Sequence, residues 1–154
     1  MRKSITSFTV RDVFIDTSGF YSLLVKNDSG HETSAKLLEE SRKSKFSFVT
    51  TDYILDETAT LLKARGLVHV LPAFFESVLS SNICRIEWTD SERFIAAKNY
   101  FIRHEDKDYS FTDCVSFVTM SEIKLKRVLT SDRHFLQAGF EPVLKTAGPN
   151  PQSS

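Results

Sequence analysis

Short apolar segments alternate along the chain with longer segments whose apolar residues recur at helical spacing. The short segments predict strands at 13–15, 46–49, 83–86, 127–129 and 142–144. The longer segments predict helices over 20–25, 31–43, 52–65, 67–79, 90–103, 110–123 and 133–138. Because strands and helices alternate, we expect an α/β domain in which helices cover both faces of a mainly parallel sheet.

Local signals indicate where several of these elements begin and end. Residues 16–19, after the first strand, have the composition of a turn. Residues 50–52 are candidate caps for the helix that follows them, and Gly66 is its candidate stop. Pro72 predicts a break or a start within 67–79, since proline costs about 3 kcal/mol in a helix interior.

Composition and charge restrict the class of protein. The chain has 154 residues, 41% of them hydrophobic and 26% charged, which is typical of one globular domain. We expect a single domain over 1–145, followed by a disordered tail over 146–154. The 20 basic and 20 acidic side chains balance without a basic tail, which argues against a polybasic membrane binder. No apolar run approaches the length of a membrane span, and two cysteines without a CxxC pair favour a reducing cytoplasm.

Four carboxylates occupy positions where α/β sheets place their functional sites. Asp16 directly follows the strand at 13–15, and Asp132 follows the strand at 127–129 in the same way. Glu57 lies one turn into a helix that follows another strand, and Asp113 lies in the first turn of the helix that begins near residue 110. Since sites in such folds lie outside the carboxyl ends of the strands, these four acids are expected to converge.

Convergent carboxylates raise one another's pKa unless a cation compensates them. Hard oxygen ligands favour Mg²⁺ or Mn²⁺, and such an ion orients a phosphate and activates a water molecule. With the four acids set aside, the rest of the chain has a net charge of +4. A mildly basic exterior around an acidic, metal-binding pocket suits a polyanionic substrate.

Each acid also has an interpretation that requires no metal. Asp16 suits the start of a turn, and Asp132 suits the N-cap of the next helix. Asp113 lies three residues after Ser110, which is the spacing of a capping box. Glu57 suits a solvated helix position. Taken singly, each acid favours this simpler interpretation, whereas the matching strand-end positions of Asp16 and Asp132 favour a shared site.

Four segments of the chain resemble the motifs of PIN-domain nucleases. The strand, acid and hydroxyl order of Phe14-Ile-Asp-Thr-Ser-Gly-Phe20 resembles the opening of that family. The segments 54–62 and 108–117 resemble the helix that carries the family's glutamate and its third acidic motif. Val128-Leu-Thr-Ser-Asp-Arg-His-Phe135 resembles its Thr-x-Asp-x-x-Phe motif. The resemblance extends over about residues 12 to 145 and keeps all four motifs in order.

This resemblance implies a PIN-like three-layer α/β/α sandwich around a mainly parallel sheet of four to five strands. It also implies a metal-dependent ribonuclease similar to the toxins of VapBC toxin–antitoxin pairs, which act on RNA, typically form homodimers and are inhibited by a cognate antitoxin. The residues that match the family's acidic set are Asp16, Glu57, Asp113 and Asp132.

The same resemblance suggests a role for each matched residue. Asp16 and Asp113 are expected to bind Mg²⁺ or Mn²⁺ directly. Glu57 and Asp132 are expected to bind it through water or to position the attacking water. The hydroxyls expected to support the metal or the substrate phosphate are those of Thr17, Ser18 and Thr130.

Two alternatives to the toxin remain open on the sequence. One is a catalytically inactive PIN-like module that binds nucleic acid or protein, and the other is a housekeeping RNA-processing nuclease. Among other residues, His134 is expected to be a surface histidine and Trp88 a core residue. Cys114 is expected to be a small buried hydrophobe.

Overall fold

The computed structural model describes residues 11–146, in which five parallel strands form one sheet. The strands are β1 Val13–Ile15, β2 Phe48–Thr51, β3 Cys84–Glu87, β4 Arg127–Leu129 and β5 Glu141–Pro142. Their order across the sheet is β3-β2-β1-β4-β5, and every neighbouring pair is parallel. In this register, Phe14 of β1 lies between Val49 of β2 and Val128 of β4. The predicted tail lies outside the described residues, apart from Thr146.

Within the described residues, seven α-helices connect the strands. They are α1 Thr17–Leu24, α2 His31–Ser44, α3 Asp52–Ala64, α4 Leu71–Ser80, α5 Ser91–Arg103, α6 Phe111–Ile123 and α7 Arg133–Gln137. Crossovers between parallel strands are right-handed, so α1 to α4 cover one face of the sheet and α5 to α7 cover the other. The expected three-layer α/β/α sandwich with a five-stranded sheet is confirmed. No helix within residues 11–146 is long and apolar enough to cross a membrane.

The core lies against the central strands β1 and β4. Phe14, Ile15 and Leu129 are almost entirely buried, as expected of strands that helices cover on both faces. Phe117 of α6 packs edge-on against Phe135 of α7 and so joins two helices of the same layer. Cys114 is fully buried, as predicted.

Several element boundaries differ from the prediction. The helix α1 begins at Thr17, so Asp16 is its N-cap and the predicted turn at 16–19 is wrong. The strand β2 continues to Thr51, because the Thr50 hydroxyl donates a hydrogen bond to the carbonyl of Ile15 (3.0 Å) and can therefore be buried. The last strand is Glu141–Pro142 rather than 142–144.

Other local signals have the predicted effect. Thr51 caps α3 by accepting a hydrogen bond from the Ile54 N–H (3.2 Å). Gly66 follows the end of that helix with φ 73°, a conformation that favours glycine. Pro72 lies in the first turn of α4, where its missing N–H has no cost.

The helix α5 presents an unusual distribution of residues. Its buried positions include Arg93, which forms a hydrogen-bonded ion pair with Glu122 of α6 (2.9 Å). Large apolar side chains, among them Ile95 and Ile102, are exposed. Trp88, before this helix, is 63% exposed, so the prediction that it belongs to the core is wrong.

Candidate active site

Two of the predicted acids lie at the point where the direction of the chain across the sheet reverses. From β1 the chain runs outward to β2 and β3 and then returns to β4, which pairs with the other side of β1. Asp16 ends β1, and residues 130–132 follow β4 at the same edge. In open parallel sheets this crevice is where ligands bind. The fold therefore places Asp16 and Asp132 beside each other, as expected.

The carboxyl group of Asp16 is held by a chain of hydroxyl groups. The Thr130 hydroxyl donates to Asp16 Oδ2 (3.0 Å) and lies 3.0 Å from the Ser18 hydroxyl. Since Thr130 has one hydroxyl proton, Ser18 donates to Thr130 and accepts in turn from the Ser131 N–H (3.0 Å). Thr130 also accepts from the backbone N–H of Asp132 (3.0 Å). This network links the start of α1 to the loop after β4.

Glu57 is held by a second pair of hydroxyl groups. The Thr17 hydroxyl donates to Glu57 Oε1 (2.6 Å) and accepts from the Thr58 hydroxyl (3.3 Å). Thr17 and Thr58 are both buried, so these bonds form between α1 and α3 with little competition from water. One oxygen of Glu57 is therefore fixed against α1.

Asp113 is held from two directions at a single oxygen. Its Oδ2 accepts from the Ser110 N–H (3.0 Å), and the Ser110 hydroxyl accepts from the Asp113 N–H (3.0 Å), which completes a capping box. The same Oδ2 lies 3.0 Å from His134 Nδ1. Because a carboxylate only accepts, the histidine proton lies on Nδ1 in this contact. The capping box that the sequence suggests is present, and the Asp113 carboxyl faces a neighbour on α7 as well.

Asp132 caps a helix and also belongs to the same cluster of side chains. Its Oδ1 accepts from the backbone N–H of His134 (2.9 Å) and so caps α7. His134 Nδ1 lies 3.4 Å from this oxygen, between the two aspartates. Ligand atoms of Asp113, Asp132 and His134 all lie within 4.8 Å of one another. These three side chains therefore present donor atoms at one point.

Burial and the charges of neighbouring acids raise the pKa of three of the four acids. Burial, together with the charges of Asp113 and Glu57, raises the pKa of Asp16 from 3.8 to about 7. Burial also raises the pKa of Glu57, as do the charges of Asp113 and Asp132. The pKa of Asp113 is raised by burial and by the charge of Asp132. The structure thus brings the four predicted acids into one repelling cluster.

A cavity of about 350 Å³ opens over this cluster between α1 and α3. At one end it is lined by Asp16, Glu57 and Asp132. At the other it is lined by Tyr21, Leu61 and Arg65. The space is large enough for a small polar group beside the carboxylates, and it extends beyond them along α3.

Sequence reasoning missed the placement of His134. Its side chain is 19% exposed and contacts two of the acids, so it is not the surface histidine that was expected. It also packs edge-on against the ring of Tyr109. Its position two residues after Asp132, at the start of a capped helix, is the one signal in the sequence that points to this contact.

The chemistry of the cluster is that of a site for a hard cation. Buried carboxylates with raised pKa values gain most from a divalent ion, because the ion removes both the desolvation cost and the mutual repulsion. Oxygen donors predominate, which matches Mg²⁺ or Mn²⁺ better than zinc. Of the two ring nitrogens of His134, Nδ1 is occupied by its hydrogen bond to Asp113.

Comparison with known proteins gives matches over most of the chain. The PIN domain family matches residues 13–141. A 23S rRNA-specific endonuclease, VapC20 of Mycobacterium tuberculosis, is 30% identical over 131 residues, which are 85% of this chain and 97% of that protein. A VapC ribonuclease of Archaeoglobus fulgidus is 34% identical over 126 residues, or 79% of this chain and 78% of that protein.

A solved structure agrees with these matches. The crystal structure of M. tuberculosis VapC20, described as a toxin that cleaves the sarcin-ricin loop, superimposes with a TM-score of 0.72 at 29% identity. The superposition covers 83% of this chain and 95% of that chain. The similarity therefore extends over nearly the whole of the known toxin.

Proposed function

The chain belongs to the PIN domain family, and from this premise we propose that it is a metal-dependent endoribonuclease, the toxin of a VapBC-type pair. The observation that carries the proposal is the convergence of Asp16, Glu57, Asp113 and Asp132 at one sheet edge. Relatives named as an rRNA endonuclease and as a ribonuclease support RNA as the substrate.

The donor set fits Mg²⁺ or Mn²⁺. We assign Asp16 and Asp113 as direct ligands, because both carboxyl groups are buried and burial raises the pKa of each. Glu57 and Asp132 would bind the ion through water or position the attacking water. When bound, the cation stabilises charge on the phosphate oxygens and lowers the pKa of a water molecule.

The protein side chains orient the reacting groups. Glu57 has one oxygen fixed by Thr17, which leaves the other to accept a hydrogen bond from the attacking water. This water adds to the phosphorus in line as Glu57 takes its proton, the P–O3′ bond of the RNA breaks, and the departing 3′ oxygen takes a proton from solvent. Thr17, Ser18 and Thr130 act mainly by holding the carboxylates in place, because each hydroxyl is engaged with an acid or with another hydroxyl.

The partners follow from the same assignment. We propose that the protein acts in the cytoplasm and that a cognate antitoxin protein blocks the acidic cavity. We also propose a homodimer, for which the exposed apolar side chains of α5 provide a surface. Of the two alternatives, the inactive binding module is disfavoured because no acid of the cluster is missing.

The test is cleavage of RNA by the purified protein. The panel includes tRNA and 23S rRNA, each incubated with Mg²⁺, with Mn²⁺ or with EDTA. We expect cleavage to require metal and its rate to fall by at least about 100-fold in Asp113→Asn. The four carboxylates act together, so loss of one metal ligand disables the whole site. Asparagine keeps an oxygen that accepts the Ser110 N–H, so the cap of α6 survives the substitution.

Two results would contradict the proposal. Cleavage that persists in EDTA would exclude the metal, and undiminished cleavage by Asp113→Asn would exclude this cluster as the site. Absence of cleavage together with absence of Mn²⁺ binding would favour the inactive binding module.

A further inference from the structure

The cavity over the carboxylates continues along one face of α3. Glu57, Leu61 and Arg65 all line it and are spaced four residues apart, so they lie in a row down the helix. Tyr21, one turn after Thr17 on α1, lines the opposite wall. The cavity is thus a groove with an acidic end and a second end at Tyr21 and Arg65.

The second end contributes a positive charge. Among the residues that line the groove in the described part of the chain, Arg65 is the only cation, and the carboxylates are those of Asp16, Asp28, Glu57 and Asp132. Its guanidinium lies 5.6 Å from the centre of the Tyr21 ring. A cation held over an aromatic face keeps its position while its N–H groups remain able to donate.

We propose that Arg65, held by Tyr21, binds a backbone phosphate of the RNA strand a few nucleotides away from the one that is cleaved. This subsite rests on the proposed ribonuclease function. A guanidinium offers planar paired donors that match a phosphate, and it stays charged at all relevant pH values. A strand that enters an acidic centre is repelled by it, so a fixed cation along its path provides the compensating attraction.

The spacing along α3 supports a phosphate a few nucleotides away rather than the scissile one. Glu57 and Arg65 are eight residues apart, which is about 12 Å along a helix that rises about 1.5 Å per residue. Successive phosphates of one stacked strand lie about 3.4 Å apart along the axis. Arg65 therefore contacts the backbone beyond the site of cleavage, in the direction in which the groove runs.

Lys63 provides a matched comparison. It lies on the same helix two residues earlier, is exposed and has the same charge, but it does not line the groove. A general effect of surface charge on RNA binding would depend equally on Lys63 and Arg65. A phosphate subsite depends on Arg65 alone.

The experiment measures RNA binding without cleavage. A short fluorescein-labelled single-stranded RNA of mixed sequence is titrated with the full chain in Ca²⁺, and its integrity is checked on a gel. Fluorescence anisotropy gives the affinity over a series of salt concentrations. Loss of one phosphate contact lowers the slope of log affinity against log salt by about 0.7 for single strands.

We expect Arg65→Gln to weaken RNA binding about tenfold at low salt. It should also lower the slope of log affinity against log salt by about 0.7. Lys63→Gln should change the affinity less than about twofold and leave the slope unchanged. Arg65→Lys should keep the slope and lose part of the affinity, because it keeps the charge without the planar fork. Tyr21→Leu should weaken binding in the wild-type background and have no effect in Arg65→Gln.

Three results would overturn the subsite. These are an unchanged slope in Arg65→Gln, an equal loss in Lys63→Gln, or no measurable RNA binding by the wild type. The ribonuclease proposal has a separate outcome, because it depends on cleavage in Mg²⁺ or Mn²⁺. Cleavage with an unchanged slope in Arg65→Gln overturns only the subsite, whereas binding through Arg65 without any cleavage overturns only the nuclease.

Discussion

Burial and mutual repulsion act together on the carboxyl groups at the edge of the sheet. Asp16 is 4% exposed, and burial, with Asp113 and Glu57, raises its pKa from 3.8 to about 7. The hydrogen bond from Thr130 opposes this shift and leaves the group positioned but poorly acidic. The buried carboxylates of the site therefore destabilise the folded protein electrostatically, and a bound cation offsets this effect.

This cost predicts how the stability of the metal-free protein depends on pH. Because the pKa of Asp16 is higher in the folded chain, the unfolded chain loses this proton first, and stability falls as pH rises from about 4 to about 7. Asp16→Asn removes the titrating group. In EDTA we expect the variant to melt several degrees above the wild type at pH 8, with the difference shrinking towards pH 4.

Thermal unfolding followed by circular dichroism measures this difference, and added Mn²⁺ provides the control. The ion should raise the melting temperature of the wild type at pH 8 much more than that of Asp16→Asn. A variant that is less stable than the wild type at pH 8 in EDTA would contradict the account.

A second prediction concerns the hydroxyl that holds Glu57. Thr17→Val keeps the shape of the side chain and removes the hydrogen bond to Glu57 Oε1. Loss of a group that orients a metal-site carboxylate typically costs about 10- to 100-fold, so RNA cleavage should fall within that range. Thr17→Ser keeps the hydroxyl and should retain most of the activity. Equal rates for the valine and serine variants would show that the hydroxyl has no role.

At the scale of elements, the site depends on how closely α1 approaches β4. Gly19 packs so closely on the carbonyl of Leu129 that a Cβ atom at this position would collide with that oxygen. The close approach sets the Ser18 hydroxyl within reach of Thr130 and Ser131. A residue without a side chain is thus what allows the network around Asp16 to form.

Gly19→Ala should therefore destabilise the fold and disturb the site. The obstacle is backbone rather than a flexible side chain, so we expect a loss of about 1–3 kcal/mol in the free energy of unfolding, the usual effect of overpacking. Gly30→Ala is the control, because its new Cβ would meet only side-chain atoms at 3.2 Å or more. Urea denaturation measures both variants, and equal stabilities would contradict the close packing of α1 on β4.

The sequence predicts the order of elements well and their boundaries less well. Strands such as Val13–Ile15 are continuous apolar runs, which is the pattern of a doubly covered parallel strand. The start of α1 was missed because Thr17, Ser18 and Gly19 have low helix propensity, and tertiary contacts with β4 and α3 override it. The predicted acids converge because strand ends determine their positions, whereas the contact of His134 with Asp113 depends on the packing of α7 beside α6.

The apolar side chains of α5 could not be assigned from their spacing. Ala97 faces the protein, while Phe94, Ile95 and Ile102 are exposed. Arg93 takes a buried position because Glu122 and Glu87 compensate its charge. Periodicity finds the helix, but it does not show which of two apolar faces packs against α6.

At the scale of the whole molecule, the exposed face of α5 leads to a prediction about assembly. Ile95 and Ile102 are seven residues apart and therefore lie on one side of the helix, at 52% and 60% exposure. If this face forms the proposed homodimer, Ile102→Glu should give a monomer, because it would bury an unpaired charge at the interface. Light scattering after gel filtration measures the mass.

Leu79→Glu is the matched control for this prediction. Leu79 is 62% exposed on α4, a different helix, and its substitution should leave the dimer intact. A wild-type monomer, or a dimer that persists in Ile102→Glu, would contradict the assignment of this face.

Mn²⁺ binding followed by electron paramagnetic resonance shows whether the four carboxylates form one site for a divalent cation. We expect saturable binding to the wild type at pH 8. We also expect an affinity at least about tenfold lower in Asp16→Asn and in Asp113→Asn, with Glu32→Gln, which changes an exposed carboxylate on α2, unaffected. Wild-type protein without saturable Mn²⁺ binding, or equal affinities in all four proteins, would contradict a shared cation site.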